Sequence, residues 1–499
     1  MDFATLFLVL CIVLWASFHT LRPNSRLRKL VNLPPGPYPL PIIGNILQLG
    51  QRPHISLANL SQKYGPLMYL KLGSLNTIVV SSPDMAKEIL QKHDLVFSGR
   101  FIPVAGQVHD HHKISIGYLP VGSEWRKIRK ICKEQLFSTP RLDASQNLRQ
   151  EKLKKLCEYV HECCIASRVV NVGDAAFITS LNLMSATLFS VDFANFDSES
   201  SQEMKEIIGG MIKVVGTPNL ADFFPVLKPL DPQGIKRESE ICFGKLLAMF
   251  DEIIDKKLKA RARAPDSPRP HDLLEALLDI RQENENELSR DAIKHFLLDL
   301  FGAGTDSSAA TVEWAMTELL RDPEKMSKVK DELWASIRNK EQIEESDILK
   351  LPYLQAVIKE TLRCHPPLPF LVPHKAGADT EINGYIVPKN AQIIVNLWAM
   401  GRDSKVWSNP DVFEPERFLN NNIDYKGQDF ELIPFGSGRR SCPGLPLAHR
   451  MVHLMVAYLI HNFDWKLENG MNPKEMDVSD KLGLSLQKAV PLMAIPLKL

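Results

Sequence analysis

The stretch Phe435-Gly436-Ser437-Gly438-Arg439-Arg440-Ser441-Cys442-Pro443-Gly444 holds one cysteine in a glycine-rich loop ahead of an apolar helical pattern, Leu445 to His461. A loop of this kind presents a single thiolate to a metal. Gly436, Gly438 and Gly444 permit tight turns and leave room for a flat cofactor to approach the backbone, which side chains there would obstruct. The positive end of the following helix favours an ionised sulfur at Cys442. The rest of the chain reads as a housing for that group.

The spacing Phe435-x-x-Gly438-x-Arg440-x-Cys442-x-Gly444 resembles the haem-binding signature of the cytochrome P-450 superfamily. Five fixed positions make it far more specific than a lone cysteine beside a turn. The resemblance implies a mainly α fold with small β-sheets, the cytochrome P-450 fold, and haem b (iron protoporphyrin IX) as cofactor. It makes Cys442 the axial iron ligand, packs Phe435 against the sulfur side with Gly436 beside it, and pairs Arg440 with a haem propionate. A planar guanidinium suits a carboxylate because it donates two hydrogen bonds. Thiolate ligation favours O–O cleavage, so monooxygenase activity is expected.

Composition agrees with a single large globular unit. The chain has 499 residues, 44% hydrophobic and 24% charged, and no internal linker. Its 60 basic and 59 acidic residues leave a net charge of +1, which excludes a chain-wide attraction to nucleic acid. Eight cysteines are scattered without CxxC or zinc-like Cys/His spacing, so reduced thiols are expected.

Phe3 to Phe18 is almost wholly apolar, and extension to Leu21 gives a helix of roughly 19 residues, about 28 Å long, which matches a bilayer core. No basic stretch precedes it and no small-residue cleavage site follows, so it reads as an uncleaved anchor. Arg22, Arg26, Arg28 and Lys29 then hold the downstream chain on the cytosolic side. Residues 1–30 are thus expected to be a transmembrane anchor with a basic flank. Residues 31–45, with Pro34, Pro35, Pro37, Pro39 and Pro41, form a stiff hinge, and residues 46–499 form the haem-thiolate catalytic domain.

Leu67 to Ser81 predicts a hairpin with its turn at Gly73 to Asn76. A second hairpin is expected between Glu381 and Asn396, signalled by Asn383-Gly384, with Ile393 to Val395 as a buried strand. Lys256 to His271, basic and containing Pro265, Pro268 and Pro270, reads as a solvated surface connection. Ser289 caps a helix running to about Leu320. Gly302 and Gly304 interrupt its apolar face at a cost of roughly 1 kcal/mol each, and close approach of a ligand is the expected reason.

Further motifs extend the resemblance. Ala303-Gly304-x-Asp306-Ser307-Ser308 is similar to the family's oxygen-activating segment, which implies that Ala303 and Gly304 lie beside the haem. Asp306 and Ser307 are then the catalytic acid and alcohol that deliver protons to dioxygen. Ser307 stands where threonine is usual, so its hydroxyl is less restricted. Trp125-x-x-x-Arg129, on one helix face, resembles the propionate-binding helix. His374 takes the place of a basic propionate partner and is a cation only when protonated. Glu360-x-x-Arg363, with Arg417, resembles the structural Glu-Arg-Arg triad.

The whole chain is similar to plant endoplasmic-reticulum members, in the group that contains geraniol 8-hydroxylase and ferruginol synthase. This implies a hydrophobic plant specialised metabolite as substrate, a terpenoid of the abietane-type diterpene or monoterpene alcohol kind. A phenolic or tyrosine-derived metabolite is the alternative. From the family's architecture, Phe101, Ile102, Phe296, Phe370, Leu371, Val372 and Leu484 are expected to line an apolar substrate pocket. His109, His111 and His112 are expected to be solvated or at its entrance. No Rossmann fingerprint is present and no flavin domain fits the length, so electrons must come from a separate protein, which the resemblance implies is NADPH-cytochrome P-450 reductase in the same membrane. Two other classes stay open, a haem-thiolate isomerase or dehydratase and a non-catalytic haem protein, although the Asp306/Ser307 pair argues against the latter.

Overall fold

The long helix Arg290–Arg321 organises the interior. Ser289 caps it as predicted, its Oγ accepting from the Ala292 N–H at 3.1 Å. Phe296, Leu297, Phe301, Val312, Trp314, Ala315, Met316 and Leu319 are buried along its length. It packs against the helices Val172–Phe189, Ile235–Arg263, Pro352–Cys364 and Leu445–Asn462. The computed structural model describes residues 32–196, 199–265, 268–284, 288–337 and 342–499, so the expected anchor, residues 1–30, lies outside the described residues.

Among the described residues only Val172–Phe189 is long and apolar enough to cross a membrane, and most of it is buried in the core. A helix apolar all round is what a fully enclosed position requires. No disulfide joins the cysteines among the described residues, in keeping with the scattered spacing.

Among the described residues twelve short strands accompany the helices: β1 (Leu67–Leu72), β2 (Leu75–Val80), β3 (Gly99–Arg100), β4 (Val170–Asn171), β5 (His374–Lys375), β6 (Thr380–Ile382), β7 (Tyr385–Val387), β8 (Gln392–Val395), β9 (Phe463–Leu467), β10 (Asp480–Leu482), β11 (Leu486–Lys488) and β12 (Met493–Lys498). They form one five-stranded sheet in the order β1-β2-β8-β5-β3, a three-stranded sheet β4-β12-β9, and two hairpins. β1 and β2 are the first predicted hairpin, Leu72 opposite Leu75, with Gly73 at φ +56° in the turn.

Three expectations are corrected. The second hairpin is only β6-β7, turning at Asn383-Gly384, because Ile393 to Val395 belong to β8 and pair in parallel with β2. A run buried on both sides cannot be assigned to its sheet by pattern alone. The stretch Lys256 to His271 is mostly solvated as expected, but its connection starts only after Arg263, because Lys256 to Arg263 are the end of the helix Ile235–Arg263. Its cations are tied to the start of the next helix, Lys257 to Asp272 at 2.6 Å and Arg261 to Glu275 at 2.6 Å. The glycines of the long helix do not admit a ligand either. A Cβ on Gly302 would meet Met211 Cε at 2.5 Å, and one on Gly304 would meet Met184 Sδ at 2.7 Å, so both make room for methionines of neighbouring helices.

Candidate active site

The cysteine loop closes on itself through the Cys442 N–H, which donates to the Phe435 carbonyl at 2.8 Å. Gly436 and Gly438 adopt φ of +68° and +67°. At Gly438 the close approach is to the chain, since a Cβ would meet the Leu90 carbonyl at 2.3 Å. This corrects the expectation that a cofactor sets the need for that glycine. Burial pushes the Cys442 thiol up, while N–H groups of Gly444 and Leu445 and the nearby Arg129 favour the thiolate. The two amides open the helix Leu445–Asn462, so its terminus stabilises a negative sulfur. Cys442 is exposed and lines a cavity.

That cavity carries more positive than negative charge, three arginines against the single carboxylate of Asp299 among the described residues. Arg100, Arg129 and Arg440 all line it, and their hydrogen-bond partners are oxygens of neutral groups. Arg440 donates to the carbonyls of Ser98 at 2.9 Å, Ile116 at 3.3 Å and Leu119 at 2.5 Å. Arg129 reaches the Ser441 carbonyl and Arg100 the Val372 carbonyl, while Arg100 Nε has no partner. Burial, together with Arg440 and Arg129, pulls Arg100 down to about 9, and burial and Arg129 pull Arg440 down to about 10. Trp125, on the helix Ser123–Cys132, lies under the guanidiniums of Arg440 and Arg129 at 5.1 and 5.8 Å. His374 Nδ1 contacts the Phe97 carbonyl at 2.7 Å, and burial, Arg100 and Arg440 hold it well below the ordinary histidine range. It is therefore a neutral ring that donates through Nδ1. Arg100 escaped the sequence reading, although a lone arginine in Phe97-Ser98-Gly99-Arg100-Phe101 is the signal that would have found it.

The opposite wall is the long helix. Ala303 and Ser307 line the cavity, one turn apart, and the Ser307 hydroxyl donates back to the Ala303 carbonyl at 2.8 Å. Asp306 does not line it. Its carboxylate accepts from Ser485 Oγ and from Gln487 Nε2, the latter at 2.6 Å, in the β10-β11 hairpin. Burial raises its pKa, opposed by those two neutral donors. Leu371 and Val372 line the cavity, together with Ile116, Leu300 and Leu368. Phe296 sits instead in the main core, Phe370 packs against the cluster under β1 and β2, and Leu484 abuts the main core. Phe101 and Ile102 are partly exposed outside the lining. Gly304 faces Met184 rather than the cavity.

His111 is buried rather than at a solvated entrance, 2.9 Å from His295 and 3.1 Å from Asp299. Sequence reasoning missed Asp299 and His295, because their partners are about 180 residues away in the chain. Glu360, Arg363 and Arg417 form a closed unit off the cavity. Arg363 forks onto both Glu360 oxygens at 2.7 Å each, and Arg417 adds a bond of 3.0 Å.

A cysteine sulfur held by helix-terminal amides, facing arginines that have no carboxylate, is the arrangement of a haem-thiolate oxidoreductase. The chain belongs to the cytochrome P450 family, whose pattern matches residues 34–492. It is similar to cytochrome P450 76T24 of Catharanthus roseus, 56% identical over 492 residues that cover 99% of this chain and 98% of the relative. It is 54% identical over 468 residues to ferruginol synthase of Isodon rubescens, 94% and 95% of the two chains. It is 52% identical over 498 residues to carnosic acid synthase of Salvia pomifera, 99% and 98% of the two chains. The protein is a monooxygenase with haem as cofactor, using O2, a reductase partner and a hydrophobic substrate.

Proposed function

We propose that this chain hydroxylates or further oxidises a terpenoid, an abietane-type diterpene or a monoterpene alcohol. The observation that carries the reading is the near full-length likeness to enzymes named for ferruginol and carnosic acid. An apolar cavity wall of Ile116, Leu300, Leu368, Leu371 and Val372 supports it.

In this reading Cys442 Sγ ligates the iron, and Arg100, Arg129 and Arg440 receive the propionates with Trp125 and His374 beside them. Bound haem supplies O2 activation, with one oxygen atom entering a C–H bond and the other leaving as water. Phe435 and Gly436 shape the sulfur side, and Ala303 the opposite wall. Ser307 holds a proton donor at the cavity, and Asp306, one residue back, holds the exchangeable proton behind it. Residues 1–30 anchor the protein in the endoplasmic-reticulum membrane with residues 31–45 as hinge. The catalytic domain then lies on the cytosolic face, where NADPH-cytochrome P-450 reductase supplies electrons. The apolar run with its basic flank supports this placement.

The test is a panel of abietane diterpenes, monoterpene alcohols and phenolic amino acids, incubated with the protein, reductase and NADPH and followed by mass spectrometry. Oxygenated terpenoids that require NADPH are expected. Turnover of a phenolic amino acid with no terpenoid accepted would sink the substrate class. A Cys442→Ala protein that kept the reduced carbon-monoxide band typical of thiolate ligation would sink the ligand assignment.

A further inference from the structure

Asp299 is the one acidic residue in the cavity lining among the described residues, and Ile116 and Leu300 belong to the same lining. Two donors fix it, with a histidine ring nitrogen close by. Oδ1 accepts from Ser115 Oγ at 2.8 Å and lies 3.1 Å from His111 Nε2, while Oδ2 accepts from the Ile116 N–H at 2.9 Å. His111 is held in turn by His295, Nδ1 to Nδ1 at 2.9 Å. An ionised carboxylate offers about four lone-pair positions. Two are used by hydrogen bonds inside the protein, and Asp299 still has 15% of its side chain accessible. Acceptor capacity is therefore left at the cavity wall.

The structure assigns Asp299 as a specificity-determining acceptor for a hydroxyl group of the substrate, an inference that rests on the terpenoid reading above and narrows it to alcohols and phenols. A ligand that covers Asp299 removes water from it, and an unanswered acceptor in a dry site is costly. A pure hydrocarbon leaves it unanswered; a hydroxyl does not. A cationic amine would also donate, but the wall around Asp299 is apolar, with Ile116, Leu300, Leu368, Leu371 and Val372, and a neutral donor costs less to desolvate there.

Position adds a second consequence. Asp299, Ala303 and Ser307 lie four residues apart on one helical face, and Asp299 precedes Ser307 by about 12 Å along the axis at 1.5 Å per residue. A hydroxyl held at Asp299 places the far end of the molecule, rather than its own carbinol carbon, beside Ser307. The substrate must therefore come from a reaction that has already installed oxygen, such as an earlier hydroxylation or the hydrolysis of an ester. This enzyme oxidises the end remote from that oxygen.

The experiment measures dissociation constants, by haem absorbance shift and by calorimetry, for a monoterpene alcohol and its methyl ether. The haem-loaded wild type, Asp299→Asn and Ser115→Ala are compared. The ether keeps the skeleton and loses the donor. Wild type is expected to favour the alcohol by about tenfold or more, as for a site built around a substrate hydroxyl. Asp299→Asn turns the open acceptor into a donor and brings the ratio near one. Ser115→Ala removes only a tether, so both affinities change together and the ratio persists, an outcome that separates substrate contact from loop support. Equal binding of both compounds by wild type overturns the proposal, whether or not the variants fold. So does a preference that survives in haem-loaded Asp299→Asn, or oxidation at the carbinol carbon. Binding of neither compound by a protein with a normal haem spectrum removes the monoterpene half of the terpenoid reading, and a phenolic abietane with its methyl ether then decides the proposal by the same ratio.

Discussion

Arg363 and Arg100 are both guanidinium groups enclosed by protein, and their surroundings are opposite. Arg363 forks onto Glu360, which also takes Arg417, and its remaining donors reach the carbonyls of Gly401, Pro410 and Val412. Bonding to Glu360 outweighs burial and raises its pKa. Arg100 meets only neutral oxygen, shares its cavity with Arg129 and Arg440, and is pulled down to about 9. The first cluster is complete within the chain and serves the fold. The second is complete only with an anionic ligand, which is how binding sites differ from scaffold when both are buried. Carboxylates divide the same way. Glu360 has two arginines, whereas Asp306 has only the neutral Ser485 and Gln487.

The hardest test of this contrast is Glu360→Gln. It keeps the shape, leaves the buried Arg363 guanidinium without its paired carboxylate and leaves Arg417 with Glu414 alone, so a loss of about 3–5 kcal/mol is expected. Little folded, haem-loaded protein should be recovered, and thermal unfolding of any that is recovered should show the deficit. A variant of normal stability would mean that the cluster is not what closes this part of the fold.

Asp306→Asn should do the reverse. Removing a buried charge that has only neutral donors leaves stability and the haem spectrum intact, while product formation falls by about a hundredfold, within the usual range for a positioned proton donor. Unchanged product per NADPH consumed would show that protons reach the cavity by another route. Arg100→Met sharpens the arginine half of the comparison. Its apoprotein should be no less stable than wild type, because a charge without a partner has gone. Haem should bind about tenfold more weakly or worse, as expected when one charge-assisted hydrogen bond of about 1.5–3 kcal/mol is lost. A large fall in apoprotein stability would place Arg100 with the scaffold.

What could be read from the sequence follows the same division. Motifs that lie within one loop or one helical turn were legible: the Cys442 loop, Trp125 with Arg129, Glu360 with Arg363, and the cap at Ser289. Their geometry is set by local spacing. The misses all depend on segments far apart in the chain. Gly302 and Gly304 were read as ligand clearance because Met211 and Met184, on other helices, could not be seen. Phe296, Phe370 and Leu484 are apolar as a lining would be, yet apolar residues serve core and pocket alike. The direction of Asp306 is decided by Ser485 and Gln487, and the importance of Asp299 by Ser115 and His111. A helical pattern says nothing about which hairpin or loop will meet each face.

The mildest test concerns His374, the neutral ring beside the arginines. Its native pKa is held well below the ordinary value by burial, Arg100 and Arg440, against the pull of the Phe97 carbonyl. The unfolded chain, with a pKa of about 6.5, therefore takes up the proton first. The contribution of neutral His374 to stability is full above that pH and is lost as the pH falls below it, at about 1.4 kcal/mol per pH unit. His295, pulled down to about 4 by burial and His111, acts in the same direction, so the wild-type loss alone does not isolate His374. His374→Asn does, since its amide can still donate to Phe97 without titrating. Between pH 7.5 and 5.5 the haem-free variant should lose about 1.4 kcal/mol less than wild type in chemical unfolding. Haem should shrink the difference, because its propionates offset the arginines that depress the ring. Identical pH profiles for variant and wild type without haem would mean that His374 takes up its proton beside Arg100 and Arg440 as readily as in the unfolded chain. The positive charge of the cavity would then be compensated by something within the chain.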